Sequence, residues 1–132
     1  MNIRDMMISV IEKCNYMNGV ARGAIEWMVD YMLTNKRYVE GKDGFAYYIK
    51  CDDATLDRIR RNKKYITDPE FMKKLLASDG DNVHFIGVWS NTPNSDGYKN
   101  IVEGMKKLVE TEKPSTVSWY NRDLKKFILR RI

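Results

Sequence analysis

Apolar residues in the first quarter of the chain recur with the 3.6-residue period of an α-helix. The first stripe has members at i, i+3, i+4, i+7 and i+8, which share one helix face: Ile3, Met6, Met7, Val10 and Ile11. After a break, a second stripe predicts a helix that runs to about Thr34: Val20, Ala24, Trp27, Met28, Tyr31 and Met32. Two amphipathic helices therefore precede any predicted strand.

The pattern then changes to that of two short strands. Segments 37–40 and 45–50 are rich in β-branched and aromatic residues, which favour strands. Gly41 and Gly44 lie between them and offer the backbone freedom that a tight turn needs. We expect a hairpin here.

Helical patterns return between residues 52 and 79. The first is weak, around Leu56 and Ile59, and the second is clear, with an apolar face at Phe71, Met72, Leu75 and Leu76. Two helix starts fit the second pattern: a capping box at Thr67 and Glu70, or an Asp68 cap followed by Pro69.

The best predicted strand is the apolar run at 83–89, which polar turn residues bound on both sides. An amphipathic helix follows, with its apolar face at Tyr98, Ile101, Val102, Met105, Leu108 and Val109, and strands are predicted at 116–120 and 126–131 around a turn at 121–123. The order is α-α-β-β-α-α-β-α-β-β, an α/β (α+β) fold with a mixed sheet in one domain, 1–132. The strands near 86 and 118 are joined by a helix, which implies that they are parallel neighbours.

Composition narrows the class of protein. No apolar run approaches the ~20 residues that cross a bilayer, and the N-terminus lacks a secretory pattern, so we expect a soluble, cytoplasmic protein with no membrane partner. Cys14 and Cys51 form no spaced framework, and they should be structural core thiols. No cluster of metal-ligand type and no Ser/His/Asp pattern is visible, which sets metalloenzymes and hydrolases aside.

The net charge of +5 is concentrated in two basic segments: Arg58, Arg60, Arg61, Lys63 and Lys64, then Arg122, Lys125, Lys126, Arg130 and Arg131. Basic segments attract phosphate groups, including those of nucleic acid, although most are solvated faces. The chain shows no helix-turn-helix or RNP-type strand that would favour a nucleic-acid partner.

A polar loop at 90–99 connects the best strand to the helix that follows it. Gly97 is its one glycine, Ser95 is a candidate cap, and Lys99 adds a positive charge. The free amides at a helix start beside parallel strands suit an anion, so the loop would hold a phosphate. An ordinary polar turn, with Ser95 or Asp96 as the cap, is the other interpretation.

Taken together, the two leading helices, the hairpin, a strand ending in Val-Trp-Ser and a closing strand with Val-Ser-Trp-Tyr resemble a short member of the GNAT acyltransferase superfamily. Short phage-encoded proteins of that superfamily are similarly abbreviated. The resemblance implies an N-acyltransferase that uses acetyl-coenzyme A or another acyl-coenzyme A and modifies a small-molecule or protein amine. It would place the cofactor at Trp89, Ser95, Gly97, Tyr98 and Lys99.

Acyl transfer to an amine needs a proton acceptor for the nitrogen and a proton donor for the departing thiolate. His84, the sole histidine, lies on the central strand and would suit a base if it faced the crevice. Tyr120 stands near the end of the adjoining strand, where the superfamily often places a tyrosine acid. The alternative is a catalytically silent GNAT-fold binding or assembly protein of viral origin, in the host cytoplasm or the virion, contacting protein or nucleic acid. A loop with a single glycine favours that alternative.

Overall fold

The computed structural model describes residues 2–13, 19–42, 44–62, 68–90, 95–121 and 125–132, without the side chains of residues 69 and 95–97. The described residues form five helices and five strands: α1 (Ile3–Glu12), α2 (Arg22–Asn35), β1 (Tyr38–Glu40), β2 (Gly44–Cys51), α3 (Asp53–Arg61), α4 (Pro69–Leu76), β3 (Asn82–Ser90), α5 (Ser95–Glu112), β4 (Thr116–Asn121) and β5 (Lys126–Arg131). The predicted order of elements is confirmed.

The strands form one sheet in the order β1-β2-β3-β4-β5. Neighbours are antiparallel except β3 and β4, which run parallel from Asn82↔Thr116 to Phe85↔Trp119. Both predicted hairpins and the predicted parallel pair are therefore confirmed. The fold is a mixed α/β fold with a five-stranded mixed sheet.

The start of α4 shows which of the two predicted caps is used. The Asp68 side chain accepts a hydrogen bond from the Phe71 backbone N–H, and Pro69 occupies the first turn. An acceptor at this position satisfies one of the free amides of a helix start. The alternative cap, Thr67, lies outside the described residues.

Two apolar layers cover the two faces of the sheet. The first joins α1 to α4 with one sheet face, and its largest members include Met7, Ile11, Met32, Phe45, Tyr47, Leu76 and Trp89. The second lies between the other sheet face and α5, and is built from Ala46, Tyr48, Val83, Phe85, Ile101 and Val117. On this second face α5 packs over β1, β2 and β3. Gly104 permits the close approach, because a Cβ there would overlap Val39.

Asn82 is a buried polar junction at the start of β3. Its Nδ2 donates to the Cys51 carbonyl at 3.0 Å and to Asp53 Oδ1 at 2.9 Å, and its Oδ1 accepts from Thr116 Oγ1 at 2.7 Å. Buried amides need such partners, since an unsatisfied one costs about 1–3 kcal/mol. Asn82 thus ties the ends of β2, α3 and β4 together.

The buried face of α2 differs from the predicted one. Trp27 was expected on the apolar face, but it is 38% exposed, and α2 instead buries Ile25, Met28, Val29 and Met32. The Trp27 ring lies 5.5 Å from the Tyr31 ring, and Lys73 Nζ lies 5.8 Å from the Trp27 centroid. These surface contacts partly shield the indole from water.

Cys51 was predicted to be a structural thiol, and it is fully buried at the end of β2. Burial raises the pKa of this thiol to about 12, so it stays protonated and unreactive at neutral pH. Cys14 lies outside the described residues. None of the helices in the described part of the chain combines the length and apolar character that a bilayer crossing requires.

Candidate functional site

The sheet splits between its two parallel strands. Pairing of β3 with β4 ends at Phe85↔Trp119, yet β3 continues to Ser90 beside β2 and β4 continues to Asn121 beside β5. Paired strands lie about 4.8 Å apart, and strands that stop pairing are free to separate. We call this opening the split. It faces the carboxyl ends of both strands, where α/β sheets commonly bind ligands.

A β-bulge marks the point where the split begins. Tyr48 pairs with Phe85 while Tyr47 pairs with Gly87, so Ile86 is an extra residue in β3. A bulge bends its strand and increases the local twist. The bend coincides with the last β3–β4 pair, which gives a local reason for the separation of the two strands.

The split opens into a cavity of about 1190 Å³, slightly above the roughly 300–1,000 Å³ typical of small-molecule sites. Its walls come from the split itself, from one side of α5, from the end of α1 and from the end of β5. Along α5 the lining extends from Tyr98 to Glu110, about 18 Å of helix. Two of the exposed large hydrophobic residues in the described part of the chain, Val102 at 39% and Ile132 at 69%, line this cavity.

Most of the cavity wall is apolar, and its charged members are mainly basic. Lys13, Lys106 and Arg130 line it together with one described acidic side chain, that of Glu110. Clefts lined by one sign of charge attract ligands of the opposite sign. The cavity therefore suits an elongated ligand that has apolar parts and negative charge.

Trp89 lies at the split and is held by other rings. Its indole centroid is 5.3 Å from that of Phe45 and 5.2 Å from that of Tyr47, and the residue is buried although it lines the cavity. Gly87 makes room for it, because a Cβ at Gly87 would overlap the six-membered ring of the indole. The absence of a side chain at Gly87 thus fixes the shape of the β3 wall.

His84 does not line the cavity. It is fully buried in the part of the sheet where β3 and β4 still pair. Its Nδ1 lies 2.8 Å from Ser118 Oγ, and its ring stacks on that of Phe127 at 5.8 Å between centroids. Burial lowers its pKa to about 3, because the apolar interior disfavours the imidazolium. The side chain is therefore a neutral imidazole inside the sheet, and its role as a catalytic base stays a prediction that this position does not favour.

Tyr120 and Tyr98 do reach the cavity, and both are half-buried. Tyr120 lies on β4 past its last pair with β3, on the side of the split opposite Trp89. Tyr98 comes from the first turns of α5. The structure thus brings together three of the predicted site residues in one cavity: Trp89 from β3, Tyr120 from β4 and Tyr98 from α5.

The remaining predicted residues belong to the start of α5. Ser95 and Gly97 are in its first turn, but the Ser95 side chain lies outside the described residues, as does the loop at 91–94. Lys99 is exposed and does not line the cavity. Its position near the helix start adds positive charge there, beside the wall residue Tyr98.

The first basic segment is partly engaged within the protein. Arg58 lies over the Phe71 ring at 5.1 Å, and Arg61 forms an ion pair with Asp57 at 2.9 Å. Lys63, Lys64 and Arg122 lie outside the described residues. In the second segment Arg130 lines the cavity, so this arginine belongs to the candidate site.

The sequence did not predict the part of the cavity wall that comes from the later turns of α5 and the end of β5. It is formed by Met105, Lys106, Val109, Glu110, Arg130 and Ile132. The spacing of Tyr98, Val102, Met105 and Val109 was visible, but a helical stripe has the same period whether it faces a core or a cavity.

Comparisons of the chain with protein-family models, with curated proteins and with solved structures found no match.

Proposed function

We propose that this chain is a short GNAT-type N-acyltransferase that binds an acyl-coenzyme A in the split and transfers its acyl group to an amine. The observation that carries the proposal is the end of β3–β4 pairing at Phe85↔Trp119, directly above a large, mostly apolar cavity. The β3 residues Ile86, Gly87 and Val88 gain no register partner from β4, and a bound group that takes the place of a strand would satisfy their backbone.

The pantetheine arm of coenzyme A is such a group, since it is a narrow chain with two amides. Ile86, Gly87 and Val88 line the cavity, and β4 supplies no register partner for them. Backbone groups alternate between the two sides of a strand, so those of β3 that point away from β2 point into the split. An extended arm would hydrogen-bond there in the manner of an added strand.

The pyrophosphate would lie over the start of α5. The first amides of a helix have no partner within the helix, and the helix dipole adds partial positive charge at this end. Lys99 reinforces that charge. Gly97 would let the backbone approach the phosphates closely.

Tyr120 is the cavity side chain best placed to act on the thioester. In the transfer a C–N bond forms as the amine attacks the thioester carbon, and the C–S bond breaks. The Tyr120 phenol would give its proton to the departing thiolate, and the proton that the nitrogen loses would return to the phenol through solvent. His84 is not assigned contact with substrate in this scheme.

A second candidate is the catalytically silent binding or assembly protein on the same scaffold. The burial of His84 away from the cavity favours it, because only one of the two predicted catalytic side chains is left at the split. Loss of catalysis with retained cofactor binding would identify this candidate.

Calorimetric titration with acetyl-coenzyme A tests the proposal directly. Lys99→Glu should weaken binding about 3- to 10-fold, since it reverses a charge near the phosphates, and the effect should shrink at high salt. Lys107→Glu is the matched control: the same charge change on an exposed residue of α5 that is outside the cavity should leave the affinity unchanged. If the wild-type protein binds neither acetyl-coenzyme A nor longer acyl-coenzyme A esters, the acyltransferase proposal is overturned.

Tyr120→Phe tests the chemical step separately. With a panel of amines and a thiol-release assay, it should lower the rate about 100-fold while the affinity for acetyl-coenzyme A changes little. A wild-type protein that binds the cofactor but releases no thiol with any amine in the panel would favour the silent binding protein.

A further inference from the structure

One part of the cavity lies beyond the split, between α5 and the β4–β5 hairpin. We call it the tail groove, and it is lined mainly by these apolar residues: Val102, Met105, Val109, Val117, Trp119 and Ile132. It exists because the main contacts of α5 are with β1, β2 and β3, and α5 covers β4 and β5 less closely on this face. The hairpin therefore offers an apolar floor, and α5 offers a side wall.

The tail groove exposes apolar surface that an ordinary helix face would bury. Val102 belongs to the apolar stripe of α5 but is 39% exposed, and Ile132 at the end of the chain is 69% exposed. Leaving such surface in water is unfavourable. Exposed apolar residues in the wall of one cavity mark a binding surface.

Position in the fold indicates what the groove receives. α5 runs from the open end of the split, at Ser95, toward Glu112 at the opposite end of the sheet. A ligand with its phosphates at residues 95–99 and its pantetheine arm in the split would bring its thioester to the level of Phe85 and Trp119. Whatever the thioester carries then continues into the tail groove, because the split and the groove are one continuous cavity.

We propose that the tail groove binds an unbranched acyl chain of about ten carbons, so that the substrate is a medium-chain acyl thioester rather than acetyl-coenzyme A. The proposal rests on the proposed function. The thioester would lie level with Trp119, whose partner on β5 is Ile128, and from there to Ile132 the groove follows four strand residues, about 13 Å. An extended chain advances about 1.2 Å per bond. Glu110 lines the far end, where further methylenes would meet a charged group instead of apolar ones.

Binding of acyl-coenzyme A esters of 2, 6, 10 and 14 carbons, kept below micelle-forming concentrations, tests the chain length. A fully buried methylene is worth about a fourfold gain in affinity and one in an open groove about twofold, so affinity should rise about twofold per carbon. It should level off near ten carbons. Equal affinities across the series, while acetyl-coenzyme A binds, overturn the tail groove and leave the proposed function standing.

Variants locate the effect. Val109→Trp fills the groove and should remove the gain with chain length while the affinity for acetyl-coenzyme A changes less than twofold. Lys107→Trp is the control, because it places the same side chain on the exposed face of α5. Ile132→Asp adds a charge at the end of the groove on a residue with little packing to lose, and it too should weaken decanoyl binding selectively.

Decanoate and coenzyme A, each without the other, separate the two parts of the site. Coenzyme A should bind alone and compete with the decanoyl ester, whereas decanoate should bind far more weakly than the ester. If neither coenzyme A nor any ester binds but decanoate does, the proposed function and this inference both fail, and the groove is a fatty-acid site. A gain with chain length that survives Val109→Trp and Ile132→Asp places the chain elsewhere and overturns the inference.

Discussion

Acidification from pH 7 to pH 5 should destabilise the protein through one side chain, His84. A histidine in an unfolded chain has a pKa of about 6.5, whereas burial lowers the pKa of His84 in the folded protein to about 3. Between these values the unfolded state binds a proton that the folded state excludes. The free energy of unfolding is therefore almost unaffected by His84 above pH 6.5. As the pH falls from 6.5 toward 3, the free energy of unfolding decreases by about 1.4 kcal/mol per pH unit.

At pH 5 the expected loss from His84 alone is about 2 kcal/mol, a large part of the 5–15 kcal/mol that stabilises a typical domain. Urea unfolding of the wild-type protein and of His84→Gln at pH 7.5 and pH 5.0 isolates it. Carboxylates titrate in both proteins and cancel in the comparison, so the wild-type protein should lose about 2 kcal/mol more than the variant. Glutamine keeps a polar group near Ser118, which limits the cost of the substitution at neutral pH.

A second measurement does not depend on the variant. Because His84 is the sole histidine, its ring proton signals in an NMR titration of the folded wild-type protein belong to one residue. They should stay constant from pH 7.5 to pH 5. A midpoint near 6.5 in the folded state, or equal pH dependence in both proteins, would refute the burial argument and would restore His84 as a candidate base.

Two further predictions concern packing and buried polarity. Gly87→Ala should cost about 1–3 kcal/mol of unfolding free energy, because its Cβ would overlap the confined Trp89 ring. Gly23→Ala is the control: this position on α2 has nothing within 4 Å of the added Cβ, so the substitution should stabilise the protein by about 0.5 kcal/mol. Equal effects of the two substitutions in urea titrations would contradict the predicted overlap. Asn82→Ala should cost about 2–4 kcal/mol, because it strands the partners of three hydrogen bonds, two of them buried and one partly buried. Thr116→Val removes one of them and should cost about 1–2 kcal/mol by thermal unfolding; a larger loss for Thr116→Val than for Asn82→Ala would show that Asn82 is not the junction.

Much of the architecture followed from local pattern. The 3.6-residue stripes predicted α1 and α5, the apolar run predicted β3, and the intervening helix predicted that β3 and β4 are parallel neighbours. These features depend on residues close together in the chain, so periodicity and turn chemistry report them. The resemblance, rather than local pattern, singled out Trp89 and Tyr120 near the carboxyl ends of those strands and Tyr98 near the start of α5. All three line the cavity, and their roles stay predictions.

The tertiary structure alone decided the bulge at Ile86, the burial of His84 and the course of the cavity. A strand pattern states which residues alternate, but the register with a distant partner decides where pairing stops, and here it stops at Phe85 and Trp119. A helix stripe likewise states which side is apolar and not what covers it, which is why Val102 reads as a core residue in sequence and is exposed in the cavity wall. Periodicity is a property of one element, whereas a cavity is a property of the space that several elements leave between them.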